Sequence, residues 1–255
     1  MAMSTVLITG SADGLGLMAA ELLLGEGHEV VLHARSEGRA EQALAAVPGA
    51  AGVVVGDLAS VAEVVGVAEQ ANAIGRFDAV IHNAGVYLVP ERVETVDGLS
   101  VVFAVNVVAP YLLTALVRRP ASLVYLSSGM HLGGSPDLGD PQWKRRPWRA
   151  SQAYSDSKLF DVALAFAVAR RWADVRSNAV DPGWVATRMG GPGAPDDLAQ
   201  GPVTQVRLAV DDLGSGGYYY HQRMSDTHPA VSDIEVQEGL LAVCREITGV
   251  EMATT

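Results

Sequence analysis

The sequence predicts an α/β fold: a doubly wound parallel sheet of about seven strands with helices on both faces, three layers in all. Apolar runs of strand length alternate along the chain with amphipathic stretches of helix length. The early runs are rich in Val, Ile and Leu without polar alternation, as strands buried on both faces must be. A glycine-rich turn joins the first run to the first amphipathic stretch, and repeated units of that kind build parallel sheets.

In chain order, the apolar run Thr5–Thr9 reads as the first strand and Leu15–Leu24 as the helix after the glycine turn. The pattern repeats with strand Glu29–Ala34 and helix Glu37–Val47, then strand Ala51–Gly56 and helix Val61–Ile74. Strand Ala79–Asn83 precedes a long apolar helix, Gly98–Val117, and strand Ser122–Ser127 precedes helix Gln152–Trp172. Strand Arg176–Asp181, helix Val203–Val210, a short strand Gly217–Tyr220 and a last helix Ser232–Ile247 complete the series. Two segments break the rhythm. Residues 129–151 are long and irregular with Gly, Pro and two tryptophans, and residues 183–202 are rich in Gly and Pro. Both follow strands, and in doubly wound folds ligands bind beyond the carboxyl ends of strands, so both are expected to cover a substrate.

Composition narrows the class. With 255 residues the chain is long enough for one domain, 1–255, with a large core, and no linker or solenoid repeat divides it. Nearly half of it is apolar, which argues against disorder, and a net charge of −11 argues against nucleic acid or anionic membranes as general partners. Cys244 is the sole cysteine, so no intrachain disulfide forms, and it reads as a buried apolar residue. No apolar run reaches membrane-spanning length. Met1-Ala2-Met3-Ser4 carries no basic region or cleavage signal, and the expectation is a cytoplasmic protein. His82 and His131 lack a partner spacing for a metal, and no metal site is expected.

Tyr154 and Lys158 in Tyr-Ser-Asp-Ser-Lys are four apart and share a helix face. A nearby ammonium lowers a phenol's pKa from about 10 and makes it usable as an acid–base group. The turn Thr9-Gly10-Ser11-Ala12-Asp13-Gly14-Leu15-Gly16 lets the backbone approach a pyrophosphate at a helix N-terminus. The second strand ends His33-Ala34-Arg35-Ser36 with no acid until Glu37. Arg35 can fork onto a 2′-phosphate and Ser36 can donate to it, which favours NADP(H) over NAD(H). Asp13 opposes that preference if its charge lies near the phosphate.

Together these motifs resemble the short-chain dehydrogenase/reductase superfamily, in its shorter, non-extended branch with a TGxxxGxG turn, which implies a Rossmann-type fold. The resemblance runs from Thr5 to about Thr187. Asp57-Leu58 resembles the pair that closes on the adenine, and Asn83-Ala84-Gly85 the NAG motif at the cofactor's edge, here preceded by His82. Asn106 matches the asparagine of the fourth helix, and Ser128, second of a serine pair with Ser127, matches the catalytic serine. Pro182-Gly183-Trp184-Val185-Ala186-Thr187 resembles the PGxVxT motif beside the nicotinamide.

The resemblance implies carbonyl–alcohol interconversion by hydride transfer. Tyr154 would donate the proton, Ser128 would bind the developing oxyanion, Lys158 would lower the tyrosine pKa and hold the ribose, and Asn106 would hold a water leading to solvent. A redox-sensing regulator and an epimerase or dehydratase on the same scaffold are the rival readings.

More residues separate Ser128 from Tyr154 than in the family's short form, which resembles its retinol-dehydrogenase-like and carbonyl-reductase-like members. The extra length carries Trp143, Lys144, Arg145, Arg146, Trp148 and Arg149, a basic, aromatic strip in an acidic chain. It either grips an anionic or aromatic part of the substrate, or is a solvated loop whose tryptophans pack on the body. Tyr87, Trp184 and Met189 are candidates for a pocket wall or for core packing. An apolar pocket suits a hydrophobic or aromatic carbonyl or alcohol. Many relatives pair through the fourth and fifth helices, so a homo-oligomer stays open here.

Overall fold

Consecutive Val, Ile and Leu in a strand are stable only where both faces of the sheet are covered, and both are. The computed structural model describes residues 3–254; Met1, Ala2 and the last residue of the span 1–255 lie outside the described residues. In chain order the elements are β1 (Thr5–Ile8), α1 (Gly14–Gly25), β2 (Glu29–Ala34), α2 (Glu37–Ala46), β3 (Gly52–Val55), α3 (Val61–Ile74) and β4 (Ala79–His82). Then come α4 (Val101–Phe103), a π turn (Ala104–Val108), α5 (Ala109–Leu116), β5 (Ser122–Leu126), α6 (Ala150–Arg171) and β6 (Arg176–Asp181). The chain closes with α7 (Val203–Val210), β7 (Tyr218–Tyr220), β8 (Arg223–Met224) and α8 (Ile234–Thr248).

The strands lie in the order β3-β2-β1-β4-β5-β6-β7-β8. The first seven are parallel and match the seven expected; β8 is a two-residue antiparallel addition too short to leave a pattern in the sequence. The order reverses direction between β1 and β4, which opens a crevice beyond their carboxyl ends. Side chains alternate across the sheet. Val6, Ile8, Val30 and Leu32 meet α1, α2 and α7 on one face, whereas Leu7, Val31 and Val54 meet the core built by α3, α5, α6 and α8 on the other. Each such fully buried side chain contributes roughly 1.5–3 kcal/mol.

The long helix expected over Gly98–Val117 differs in detail. Gly98 sits in a turn at φ +72°, Ser100 caps the start by accepting from Phe103 N at 3.3 Å, and the π turn interrupts the helix at Asn106. The last helix is confined to Ile234–Thr248, because Asp233 caps it by accepting from Glu235 N at 2.8 Å and Gly249 ends it at φ +69°. That helix covers α6, and the tail beyond it is fastened by Tyr111 Oη donating to Val250 O and Trp172 Nε1 donating to Ala253 O, both at 2.7 Å. Cys244 is fully buried under this cover. Among the described residues no helix is long and apolar enough to cross a membrane.

Candidate active site

The glycine turn is built for close approach. Gly10 and Gly14 hold φ +64° and +55°, a region open to glycine. A Cβ on Gly10 would lie 2.9 Å from Ala84 Cα, and one on Gly16 would lie 2.5 Å from Asn83 Nδ2. Asn83 Nδ2 donates to Thr9 O at 2.9 Å and Gly10 O at 3.2 Å, and Ala84 N donates to Thr9 Oγ1 at 3.0 Å, so the segment after β4 fixes the turn after β1. His33, which the sequence reading passed over, ties in β2 and β3: its Nδ1 accepts from Gly10 N and its Nε2 donates to Gly56 O, both at 2.9 Å. An accepting Nδ1 fixes the neutral ring, and burial pushes its pKa down.

Ser11 departs from its expected place at a cofactor. Its hydroxyl donates to Ile8 O and accepts from His33 N, both at 2.9 Å, its N–H donates to His33 O, and the residue is fully buried. It shapes the turn from within. Leu15 and Gly16 open α1, and Gly201 packs on Leu15, which brings the end of segment 183–202 over the turn.

At the outer end of β2, Arg35 and Ser36 are exposed, and Ser36 begins α2 without a side-chain cap. Asp13 is exposed too, but its charge is answered: Arg39 Nη2 lies 2.5 Å from Asp13 Oδ2. Arg39 has no signal in a local motif, because the pairing joins α2 to the glycine turn before α1. Asp57 is exposed, with Oδ1 accepting from Ala59 N at 2.9 Å, and Leu58 is buried beside it. Burial in the apolar sheet pushes the pKa of His82 down to about 3; its Nε2 lies 3.1 Å from Thr114 Oγ1, making it a core histidine.

At the inner end, the fifth strand, the π turn and α6 converge. The two serines after β5 divide their tasks. Ser127 is buried and donates to Lys158 O at 2.8 Å, whereas Ser128 is half-buried beside the Tyr154 phenol and caps the next turn by accepting from Met130 N at 3.3 Å. Lys158 Nζ lies 5.7 Å from the centre of the Tyr154 ring, and Tyr87 packs edge-on against that ring at 4.7 Å. Asn106 is clamped: Oδ1 accepts from Val86 N at 2.8 Å, and Nδ2 donates to Val86 O at 3.1 Å and Ser157 Oγ at 2.9 Å. Gly85 lies against both, since a Cβ there would be 3.5 Å from Asn106 Oδ1 and 3.6 Å from Lys158 Nζ.

The Tyr154 pKa differs from what the Tyr–Lys spacing alone suggests. Burial pushes it above the ordinary phenol value; Lys158 and Ser128 pull it down, and Asp161 pushes it up again. Asp161 is the ionisable group that motif reading missed. It lies one turn beyond Lys158, with Oδ2 2.7 Å from Lys158 Nζ.

Beyond β6, Asp181 accepts from Gly183 N at 2.9 Å and from Gly129 N at 2.8 Å, tying the Pro182–Gly183 turn to the turn that carries Ser128. Val185 is buried, and Thr187 Oγ1 accepts from Gly190 N at 3.2 Å. Trp184 and Met189 are 59% and 48% exposed, which excludes core packing for both. Tyr218 is buried in β7 against His131, with ring centres 4.5 Å apart.

The basic strip is bound to the protein body. Trp143 is buried, and its Nε1 donates to Asp156 Oδ2 at 3.1 Å. Arg146 stacks on Trp143 at 3.8 Å and reaches Asp156 at 3.0 Å. Arg145 donates to Gly139 O, and Trp148 Nε1 donates to Val89 O at 2.9 Å. Lys144 and Arg149 are exposed. Packing of the tryptophans on the body is therefore the arrangement found, and two of the four cations are occupied internally.

A family model described as short chain dehydrogenase matches residues 4–135. The chain is 42% identical to the short-chain dehydrogenase chyC of Penicillium rubens, over 98% of this chain and 99% of that one. It is 32% identical, over 90% and 87%, to a protein of Streptomyces sp. strain C5 assigned by name as a daunorubicin C-13 ketoreductase. The crystal structure of an uncharacterized protein from Mycobacterium paratuberculosis superimposes with a TM-score of 0.87 at 26% identity, covering 99% of this chain and 96% of that one.

Proposed function

The chain belongs to the short-chain dehydrogenase family, and from that premise we propose that it is an NADP(H)-preferring carbonyl reductase acting on a hydrophobic or aromatic ketone or aldehyde. The observation that carries the proposal is the buried Tyr154 phenol between the Ser128 hydroxyl and the Lys158 ammonium, at the carboxyl end of the sheet. The glycine turn fits a dinucleotide: its close contacts leave no room for side chains, and the start of α1 turns backbone N–H groups outward. Such a cofactor, when bound, supplies the hydride.

The chain's own residues do the rest. Gly10, Gly14, Leu15 and Gly16 would cradle the pyrophosphate, while Ser11 holds the turn's shape. Arg35 and Ser36, with Arg39, would hold the 2′-phosphate end; the Arg39 pair answers the charge of Asp13, which on the sequence alone opposed NADP(H). Asp57 and Leu58 would border the adenine, and Asn83, Ala84, Gly85, Pro182, Gly183, Val185 and Thr187 the nicotinamide half. Tyr154 gives its phenolic proton to the substrate oxygen, and Ser128 donates a hydrogen bond to that oxygen as charge builds. Lys158 would hold the ribose hydroxyls. Asn106, clamped by Val86 and Ser157, would hold the water that leads from Lys158 to solvent.

Tyr87, Trp184 and Met189 would line the substrate cleft, with segments 129–151 and 183–202 of one domain covering it. The ketoreductase assignment of the Streptomyces relative supports a bulky carbonyl. The test is oxidation of NADPH and NADH against a panel of hydrophobic aldehydes and ketones. Turnover should prefer NADPH and fall about 10²–10⁴-fold in Tyr154→Phe. Equal turnover by that variant would overturn the acid–base role.

A further inference from the structure

Behind Lys158 stands a carboxylate that the chemistry above does not use. Asp161 and Lys158 are sealed from solvent, their side chains 3% and 5% exposed, with Oδ2 and Nζ 2.7 Å apart. Lys158 also donates to Leu126 O at 2.7 Å, so two of its three N–H groups are spent on the protein and one is left for the cleft. The other oxygen of Asp161, Oδ1, is buried without a hydrogen-bond partner. A carboxylate kept at such cost beside the lysine changes what the lysine can do. The groups that face Asp161 are Lys158 and Tyr154 on its own helix and the Tyr125 hydroxyl from β5. Those that face Tyr154 are Lys158, Asp161, Ser128, Tyr87 and Tyr218. Lys158 is the one cation among them, and Asp161 is the anion set against it.

We propose that Asp161 is a positioning residue: it masks the charge of Lys158, keeps the Tyr154 phenol protonated, and so poises this site for carbonyl reduction rather than alcohol oxidation. The proposal rests on the reading of Tyr154 as the acid–base group. In reduction the Tyr154 O–H bond breaks, its proton forms the O–H bond of the alcohol while hydride reaches the carbonyl carbon, and the phenolate regains a proton before the next turnover. A high proton affinity keeps the resting phenol in the form that step needs, whereas oxidation requires the phenolate. The direction agrees, since Tyr154 stays above its ordinary value despite Lys158, and Asp161 is among the groups that push it up.

The test is the pH titration of Tyr154 by tyrosinate absorbance, taken as the difference between each protein and its Tyr154→Phe counterpart. Asp161→Asn should lower the midpoint by about one pH unit or more, a tenfold loss of proton affinity, and Asp161→Glu should restore it. The basic limb of the pH profile for NADPH-dependent reduction should move with the midpoint. Coincident midpoints in wild type and Asp161→Asn, both folded by near-ultraviolet circular dichroism, would overturn the proposal. Where Asp161→Asn does not fold, Asp161→Ser carries the same expectation; if both neutral variants unfold while Asp161→Glu folds, the pair serves stability and the proposal fails. The absorbance titration needs no turnover, so an inactive Tyr154 reading and a wrong Asp161 reading give different results.

Discussion

Arg39 Nη2 and Asp13 Oδ2 meet at 2.5 Å across the mouth of the glycine turn, joining the start of α2 to the start of α1. Both side chains are partly exposed, so the pair adds only about 0.2–1 kcal/mol to stability. On the proposed NADP(H) reading its consequence lies in cofactor choice. Arg39→Ala leaves Asp13 as a bare anion beside the proposed 2′-phosphate position, and the NADPH-to-NADH ratio of kcat/KM should fall by roughly tenfold or more, about 1.4 kcal/mol. Asp13→Asn frees Arg39 and should raise the same ratio. A ratio unmoved by either variant would place the 2′-phosphate elsewhere.

Tyr154, Lys158 and the glycine turn were legible because their geometry is local: an i, i+4 pair and a strand–turn–helix step project directly from sequence spacing. Arg39 with Asp13 and His33 with Gly10 join α2 and β2 to the glycine turn, and nothing in either stretch announces the other. Asp161 carries no local signal, since burial of that face depends on α6 being covered by α8 and the sheet. The basic strip left two readings open for a related reason. Its cations look solvent-facing in sequence, but the partner of Trp143 and Arg146, Asp156, lies inside the Tyr–Lys motif. Ser11 looked like a cofactor contact by position and is spent within the turn.

Asp156 should therefore be a stability residue. Nearly fully buried, it accepts from Ser135 N at 2.8 Å, Gln152 Nε2 at 2.9 Å, Trp143 Nε1 at 3.1 Å and Arg146 Nη2 at 3.0 Å. Asp156→Ala leaves Ser135 N and Trp143 Nε1 without an acceptor and frees Arg146 from its buried partner, and should cost about 3–5 kcal/mol, read by chemical denaturation. With the segment loosened, KM for a bulky carbonyl should rise more than kcat falls. A variant of unchanged stability would mean that the loop is held by its tryptophans alone.

Acid should destabilise the fold through His82. Its Nδ1 is buried without a partner, and its pKa falls from 6.5 to about 3 in the folded state. Above pH 6.5 neither state binds the proton, and the full contribution is present. Between 6.5 and 3 the unfolded chain binds a proton that the native chain refuses, so stability falls as pH falls, by at most about 1.4 kcal/mol per pH unit from this residue. Denaturation curves of wild type and His82→Asn across that window should show the wild type losing stability more steeply. Parallel loss would assign the acid sensitivity to other groups.

The outer faces of α5 and α6, the helices that the family resemblance offers for pairing, are covered in this chain by α8 and the tail behind it. Glu238 forms ion pairs with Arg170 and Arg171, Gln237 Oε1 accepts from Arg170 at 2.9 Å, and Tyr111 and Trp172 hold Val250 and Ala253. Pairing by those helices would require expelling Leu240, Leu241 and Cys244 from a buried core, at roughly 1.5–3 kcal/mol for each large side chain. That exceeds what a surface contact returns, so light scattering at micromolar concentration should give the mass of one chain. Removing α8 should convert the protein to dimers or aggregates by exposing the face it covers. A stable dimer of the full chain would show that pairing uses a different surface.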